Sequence, residues 1–224
     1  MMRLKGYILL IVLPLLSLVA FGQKDDVQLI RYIDSTLYVH KIDILKTEFQ
    51  DVSGIPDRYA TAFYTALSYY PELRNSHIRV KTGNIKTTLS MRPTIWSVIF
   101  KPKHNRDYIL RINKDNNFGN IILRDVNYQA AVGLFGHELA HILDYRSVGA
   151  GGILKRAVWY LSEEKRTFYE HQIDMLTIDK GLGWQLYEWS RFVQQSPKAT
   201  PQYKRLKARR YLKPPQILST MNQD

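Results

Sequence analysis

Apolar residues recur with helical spacing in two regions of the chain that flank a stretch with a different pattern. Segments 27–38 and 57–70 show the first helical pattern, with Pro56 at the start of the second segment and Pro71 after its end. Between them and residue 127, short runs rich in Ile, Val, Thr and Tyr are typical of strands. The predicted strands cover 77–81, 87–91, 94–100, 108–112 and 120–124. Together they predict a small, mostly antiparallel sheet.

The helical pattern returns after Asn127 and continues to the C-terminal region. Ser162 is a suitable N-cap for one of these helices, because Glu163 and Glu164 follow it in the first turn, and Gly181 is its predicted stop. The other predicted helices cover 128–146, 153–161, 184–195 and 201–211. Helices, then a sheet, then helices is an order typical of an α+β domain.

The N-terminal segment 1–22 has the build of a secretory signal peptide. Arg3 and Lys5 form a short positive region, and the apolar run 7–21 leads to a small residue at the predicted cleavage site. The apolar run is shorter than the roughly 20 residues that a membrane-spanning helix needs. We therefore expect export to a periplasmic or extracellular location and a single mature domain over 23–224. An uncleaved leader would instead tether the same protein to a membrane.

Composition limits the chemistry of this 224-residue chain. It contains no cysteine, which excludes disulfides, thiolate metal sites and cysteine nucleophiles, so a metal must be held by His, Asp or Glu. The net charge of +12 favours anionic partners. The basic residues are dense only in the C-terminal helical tail, 204–213. For an exported chain we expect no nucleic-acid partner and at most weak contact of this tail with an anionic envelope surface.

His137, Glu138 and His141 form the candidate metal centre within the predicted helix 128–146. Residues four apart lie on one helix face, so the two imidazoles point to the same side and can each reach a zinc ion at about 2.0–2.1 Å. Glu138 points at an angle to them, where its carboxylate can take a proton from a zinc-activated water as general base. The alternative is an incidental histidine pair on a surface helix, which the neighbouring apolar residues disfavour.

A catalytic zinc takes three protein ligands and keeps an open fourth position, so one ligand is missing from this helix. Glu170 and Asp174 lie four apart on a later predicted helix and share a face. Glu170 could complete the site, while Asp174 could accept the other ring N–H of a ligand histidine and fix its tautomer. His171 is the second choice as ligand, because it lies roughly 100° around the helix from Glu170. Asp144 could also reach the site or pair with a nearby base.

The motifs at 133–144 and 168–174 resemble those of the zincin-type zinc metallopeptidases, specifically the gluzincin branch in its compact single-domain form. In that branch a His-Glu-x-x-His helix precedes a helix that carries Glu-x-x-x-Asp. The resemblance implies that His137, His141 and Glu170 bind zinc. By the same resemblance, Glu138 is the general base and Asp174 supports a ligand histidine. The resemblance also implies an edge strand that lines the cleft and pairs with an extended substrate.

The expected function is therefore that of an exported zinc-dependent metallopeptidase acting on a peptide or protein substrate. The alternative is a non-catalytic zinc-binding envelope protein that uses the same fold for binding, although such a protein would not need Glu138. Tyr160, Tyr169 and Tyr187 are candidates for stabilising the oxyanion, because a phenol can donate a hydrogen bond to it. Each could equally be a packing residue. No motif indicates the cleavage specificity, a pro-segment or the oligomeric state.

Overall fold

The computed structural model describes residues 29–115 and 117–222, so the predicted signal peptide lies outside the described residues. In the described part, no helix combines the length and apolar character that crossing a membrane requires. The helices of this part are α1 (Ser35–Glu48), α2 (Asp57–Ser68), α3 (Ile95–Phe100), α4 (Tyr128–Ser147), α5 (Ala150–Trp159), α6 (Glu163–Thr177), α7 (Gly183–Gln195), α8 (Pro201–Arg210) and α9 (Pro214–Met221).

The sheet of the described residues is mixed, which corrects the prediction of a mostly antiparallel one. Its strands are β1 (Val52–Ser53), β2 (Ile78–Gly83), β3 (Leu89–Pro93) and β4 (Tyr108–Asn113), in the order β1-β2-β4-β3. β2 is parallel to both β1 and β4, and β3 alone runs antiparallel to its neighbour β4. The crossover through α2 makes β1 and β2 parallel. β2 and β4 are parallel because the chain runs back through β3 before it enters β4.

Two predicted strands are absent from the structure. Segment 94–100 forms helix α3, because the Thr94 hydroxyl caps its first turn by accepting a hydrogen bond from the Ser97 N–H at 3.3 Å. Segment 120–124 forms no strand, and Leu123–Asp125 makes a single 3₁₀ turn there. In both segments the β-branched residues gave a local preference that the caps and tertiary packing override.

The helix predictions agree with the structure better than the strand predictions do. The exceptions are the first predicted helix and the last helix of the structure. α1 begins only at Ser35, where the Asp34 carboxylate accepts from the Thr36 N–H at 2.9 Å, and it continues to Glu48. The predicted segment 27–38 therefore covers little more than its first turn, and residues 27 and 28 lie outside the described part. The predicted helices from residue 57 onward are confirmed with shifts of a few residues at their ends, and α9 was not predicted.

Helix α4 lies at the centre of the domain and carries the two motif histidines. The Asn127 side chain caps it by accepting from the Ala130 N–H at 3.0 Å. From Ala130 to Ile142 every side chain is buried, because α2, α6, α7 and strand β3 pack around the helix. A helix that is apolar on nearly all sides is typical of such a central position.

Glycines in α4 allow the neighbouring helices to approach closely. A Cβ at Gly133 would overlap with the carbonyl group of Gln185 in α7, so the two backbones are in direct contact there. At Gly136, a Cβ would meet the Leu182 side chain at 2.5 Å. The Tyr70 hydroxyl donates to the Gly136 carbonyl at 2.7 Å, which further fixes the turn before the first histidine.

Strand β3 forms one edge of the sheet and lies beside α4. The Thr88 carbonyl accepts from the Asn113 N–H, and the Thr94 N–H donates to the Asp107 carbonyl. The main-chain groups of Thr88 and Thr94 therefore point towards β4. Because main-chain groups alternate in direction along a strand, those of Met91 point to the free edge. This edge borders the histidine-bearing part of α4.

We predict that Gly133→Ala lowers the free energy of unfolding by about 1–3 kcal/mol, because the added methyl group forces α4 away from α7. Gly151→Ala is the matched control: a Cβ there meets nothing within 4 Å inside α5, and alanine favours a helix by about 0.5–1 kcal/mol. Urea denaturation of both variants measures the two changes. Equal stabilities of the two variants would show that the contact between α4 and α7 can relax.

Candidate metal centre

The structure brings together three of the predicted site residues as a group of potential metal ligands. His137 and His141 project from successive turns of α4, and Glu170 projects towards them from α6. One ligand atom from each lies within 4.8 Å of the other two, and all three side chains are buried. A buried His-His-Glu group within metal-binding distance is therefore present.

The three side chains converge on one point. The Nε2 atoms of His137 and His141 lie 3.2 Å and 3.7 Å from the same carboxylate oxygen, Oε2 of Glu170. Two imidazole nitrogens and one carboxylate oxygen suit a divalent transition metal, and the absence of sulfur is compatible with zinc, iron, nickel or manganese. The donor set thus fits a metal ion, without selecting one.

The Asp174 carboxylate orients His137. Its Oδ1 lies 2.8 Å from Nδ1 of His137, and its Oδ2 accepts from the Leu212 N–H at 2.8 Å. A hydrogen on Nδ1 donated to Asp174 leaves the Nε2 lone pair free for a metal, which is how carboxylates support metal-binding histidines in proteins. Asp174 therefore lies where it can support His137, and its role at a metal site stays a prediction.

His141 has its own supporting chain of hydrogen bonds. Its Nδ1 lies 3.3 Å from the Tyr169 hydroxyl, which donates to Oδ2 of Asp144 at 2.8 Å. Asp144 in turn forms an ion pair with Arg156, whose Nη2 lies 2.6 Å from Oδ1. Asp144 therefore pairs with a base and is not a ligand, and Tyr169 supports a histidine from a position remote from the shared ligand point.

The second oxygen of Glu170 is also held in place. The Tyr160 hydroxyl donates to Oε1 at 3.0 Å, and the Arg166 guanidinium lies 3.9 Å away. His171, the second choice as ligand, does not belong to the group of three, and its buried Nε2 has no hydrogen-bond partner among the described residues. Tyr187 packs against Trp184 and is not among the residues that contact the cluster.

Glu138 lies beside the ligands without joining them. It is 6 % exposed, and burial raises the pKa of its carboxyl group to about 7, while the positive charges of His137 and Lys207 and the Met91 N–H lower it in part. A carboxyl group with a pKa near neutrality is suited to general acid–base catalysis. Met91 belongs to the free edge of β3, so Glu138 stands between the ligands and that edge.

Groups of opposite charge lie close together in the cluster. Burial disfavours protonation of His137, but its bonds to Asp174 and Glu170 outweigh this effect and raise the pKa of His137 to about 10. Burial likewise disfavours the ionised Glu170, yet the two histidines lower the pKa of its carboxyl group to about 2. His141 is neutral, because burial lowers its pKa to about 4.

Two residues of the C-terminal part reach the site, and no pattern in the sequence indicates either of them. The Tyr211 ring lies 5.4 Å from the His137 ring, and the Lys207 Nζ lies 4.0 Å from the centre of the Tyr211 ring. Burial and the carboxylates of Glu170 and Glu138 raise the pKa of Tyr211 above its ordinary value, so the phenol keeps its proton at neutral pH. Lys207 belongs to the basic C-terminal tail, 204–213, but its side chain is buried.

A groove of about 440 Å³ opens next to the cluster. It is enclosed by strand β3, helices α3 and α5 and the end of α4, and its lining is mainly apolar. Two of its lining residues contact the cluster directly: Tyr145 stacks on His141 with ring centres 5.9 Å apart, and Tyr160 binds Glu170. The groove therefore lies beside the candidate ligands, and Tyr145 and Tyr160 stand between it and them.

Comparison of the chain with protein-family models, curated proteins and solved structures found no match.

We predict that the purified protein binds a single divalent metal ion and that Glu170→Ala abolishes this binding, because the remaining histidines supply only two ligands. Asp174→Asn should weaken binding by about 10–100-fold, since His137 loses the acceptor that fixes its tautomer. Metal titration followed by elemental analysis measures both effects. His171→Ala is the control and should bind as wild type does; loss of metal in that variant alone would assign the third ligand to His171.

Proposed function

We propose that this protein is a zinc-dependent metallopeptidase of the zincin type, gluzincin branch. The observation that carries the proposal is the convergence of His137, His141 and Glu170 on one point, with Glu138 beside them. The order of elements supports it as well: an edge strand, then the helix with both histidines, then the helix with Glu170 and Asp174. These are the features that the sequence motifs lead one to expect.

Zinc is the metal that we propose for the site. Two histidines and a glutamate are one of the ligand sets that catalytic zinc sites use, and three protein ligands leave a position for water or substrate. When bound there, zinc supplies a Lewis acid for a peptide carbonyl and lowers the pKa of water to about 7. The Nδ1–H groups of His137 and His141 donate to Asp174 and Tyr169, which keeps both Nε2 atoms directed at this point.

Glu138 is the general base in this proposal. Its carboxylate removes a proton from the attacking water and then gives that proton to the departing amine, so the side chain returns to its starting state. Burial favours this exchange, because the pKa of about 7 places the group midway between holding and releasing a proton at neutral pH. Since the side chain does not complete the ligand group, it is free to reach the water.

An extended peptide substrate is proposed to bind along the free edge of β3. The Met91 N–H at this edge bonds Glu138, and an added strand would donate a main-chain N–H to the Met91 carbonyl beside it. The apolar groove next to the ligands would then receive a substrate side chain. Hydrogen bonds to the main chain give affinity without sequence preference, so the groove would determine which substrate side chains are accepted.

Tyr211 and Lys207 are proposed to stabilise the negative charge that develops on the carbonyl oxygen. Tyr211 retains its phenolic hydrogen at neutral pH and can donate it, and the buried cation of Lys207 lies against the same ring. Preorganised donors of this kind act strongly in a site from which water is excluded. This assignment replaces the three tyrosines considered from the sequence, since Tyr160 and Tyr169 already donate to Glu170 and Asp144.

A non-catalytic zinc-binding protein is the second candidate function. The observation in its favour is the deep burial of the site, where His137 and His141 are each only 4 % exposed and Glu138 is 6 % exposed. Export through the N-terminal segment is part of both proposals. The two candidate functions differ in the role of Glu138, because only hydrolysis needs it as a general base.

We predict that Glu138→Gln retains zinc but lowers kcat for peptide hydrolysis by about 10²–10⁴-fold, because the amide cannot accept the proton. Cleavage of a peptide library, read by mass spectrometry, together with the zinc content measures both properties. Glu164→Gln, an exposed position on α6, is the matched control and should behave as wild type. A zinc-loaded wild type that cleaves no peptide, in a library that covers all residue types, would support the binding protein instead.

We predict that Tyr211→Phe lowers kcat by about 100-fold with little change in KM and with zinc retained, because only the hydroxyl group is lost. Tyr187→Phe removes a hydroxyl group remote from the site and should leave both constants unchanged. Steady-state kinetics on one cleaved peptide from the library compare the variants. Equal activity of both variants would remove Tyr211 from the mechanism.

A further inference from the structure

Helices α3 and α5 expose an unusual concentration of large apolar side chains. In α3, Trp96 and Phe100 are 73 % and 72 % exposed, and their rings stack with centres 5.6 Å apart. The two helices are neighbours, so their exposed residues form one continuous surface. This α3–α5 surface consists of Ile95, Trp96, Ile99, Phe100, Leu154 and Val158. Contiguous apolar patches of this kind mark a contact with a protein or a membrane.

The segments that form α3 and α5 carry basic but no acidic residues. No Asp or Glu occurs in segments 73–106 and 145–162, which contain both helices. Exposed basic residues stand next to the apolar ones: Arg92 at the end of the groove, Lys103 shortly after α3, and Lys155 within α5. The surface therefore combines an apolar centre with a cationic border.

The four acids that bound these segments do not neutralise this border. Each one is engaged in an ion pair: Glu72 with Lys180, Asp107 with Lys101, Asp144 with Arg156, and Glu163 with Arg209 and Arg210. Arg92, Lys103 and Lys155 form no ion pair with the described residues, so their charges are available to an external partner.

We propose that the α3–α5 surface docks on an anionic lipid bilayer. Trp96 and Phe100 would lie at the level of the lipid headgroups, where aromatic side chains are favoured, and the basic border would contact the anionic headgroups. Charge distinguishes this occupant from a second copy of the chain. In a symmetric dimer through this surface, two cationic borders would face each other, whereas an anionic bilayer complements them.

Docking in this way fixes the orientation of the candidate metal centre. The groove that connects the surface with Tyr145 and Tyr160 is lined by Ile95, Ile99 and Leu154 as well, so the same residues border the groove and the bilayer contact. The mouth of the groove would then face the lipid surface. Bilayer binding itself does not depend on zinc or on hydrolysis, so it can be tested separately from the proposed function.

The test is co-sedimentation with vesicles of phosphatidylcholine alone and of phosphatidylcholine with roughly 30 % phosphatidylglycerol, at about 0.1 M and about 0.5 M salt. The chain beginning at Gln23 is used, because the apolar leader would itself bind lipid; this chain keeps every element of the structure. We expect binding only to the anionic vesicles and a clear decrease at high salt. The variant Trp96→Ala/Phe100→Ala should lower the partition coefficient at least tenfold, and Lys155→Glu should also weaken binding.

Two controls separate this surface from other causes of binding. Leu37→Ala/Ile44→Ala removes equally exposed apolar groups from α1, and Lys204→Glu/Arg205→Glu reverses charge in the basic tail; both variants should bind as wild type does. Circular dichroism verifies the fold of every variant. The proposal is overturned if wild type does not bind the anionic vesicles, or if the tail variant loses binding while Trp96→Ala/Phe100→Ala keeps it. A wild-type dimer that Trp96→Ala/Phe100→Ala dissociates, without vesicle binding, would overturn it in favour of self-association.

Discussion

The buried carboxylate of Asp174 connects the parts of the chain that make up the candidate metal centre. One of its oxygens orients His137 on α4, and the other accepts from the Leu212 N–H after α8. A buried carboxylate is stable only when its oxygens are paired, so these two bonds fix how α4, α6 and the C-terminal part are arranged. Because Leu212 follows Tyr211 directly, the same carboxylate holds the Tyr211 ring against the ligands.

Close packing around α4 follows from this requirement. Asp174 reaches His137 only if α6 lies close to α4. Gly133 and Gly136 likewise let Gln185 of α7 and the Leu182 side chain approach α4 closely. Asp174 and Tyr169 contact the Nδ1 atoms of the two histidines, so both imidazoles have little conformational freedom. A metal ion would meet ligands that are already oriented, which reduces the entropy lost on binding.

The sequence predicted those features of the site that depend on local spacing. His137 and His141, like Glu170 and Asp174, lie four residues apart, and helix geometry alone places each pair on one face. Other features depend on contacts between distant segments. The parallel pairing of β2 with β4 and the return of Lys207 and Tyr211 to His137 are of this kind. The strand prediction for segment 94–100 was wrong because its Ile, Val and Phe residues are typical of strands. In the structure, Ile95, Ile99 and Phe100 belong to the exposed face of α3.

Stability alone does not account for the buried carboxylate of Glu138. Both oxygens of Asp174 have partners that order the fold, but the Glu138 carboxylate has chiefly the Met91 N–H and nearby positive charges, and burial raises its pKa to about 7. Its ionisation at neutral pH therefore disfavours the folded state, since the same group would ionise more easily in the unfolded chain. Lys207 differs, because burial lowers the pKa of its ammonium group but the neighbouring Tyr203, Tyr211 and Glu170 raise it above its ordinary value, so this cation does not weaken the fold. At the position of Glu138, an apolar residue of similar size would serve packing at least as well. A buried carboxylate that weakens the fold beside the candidate ligands is a group that the proposed hydrolysis would use.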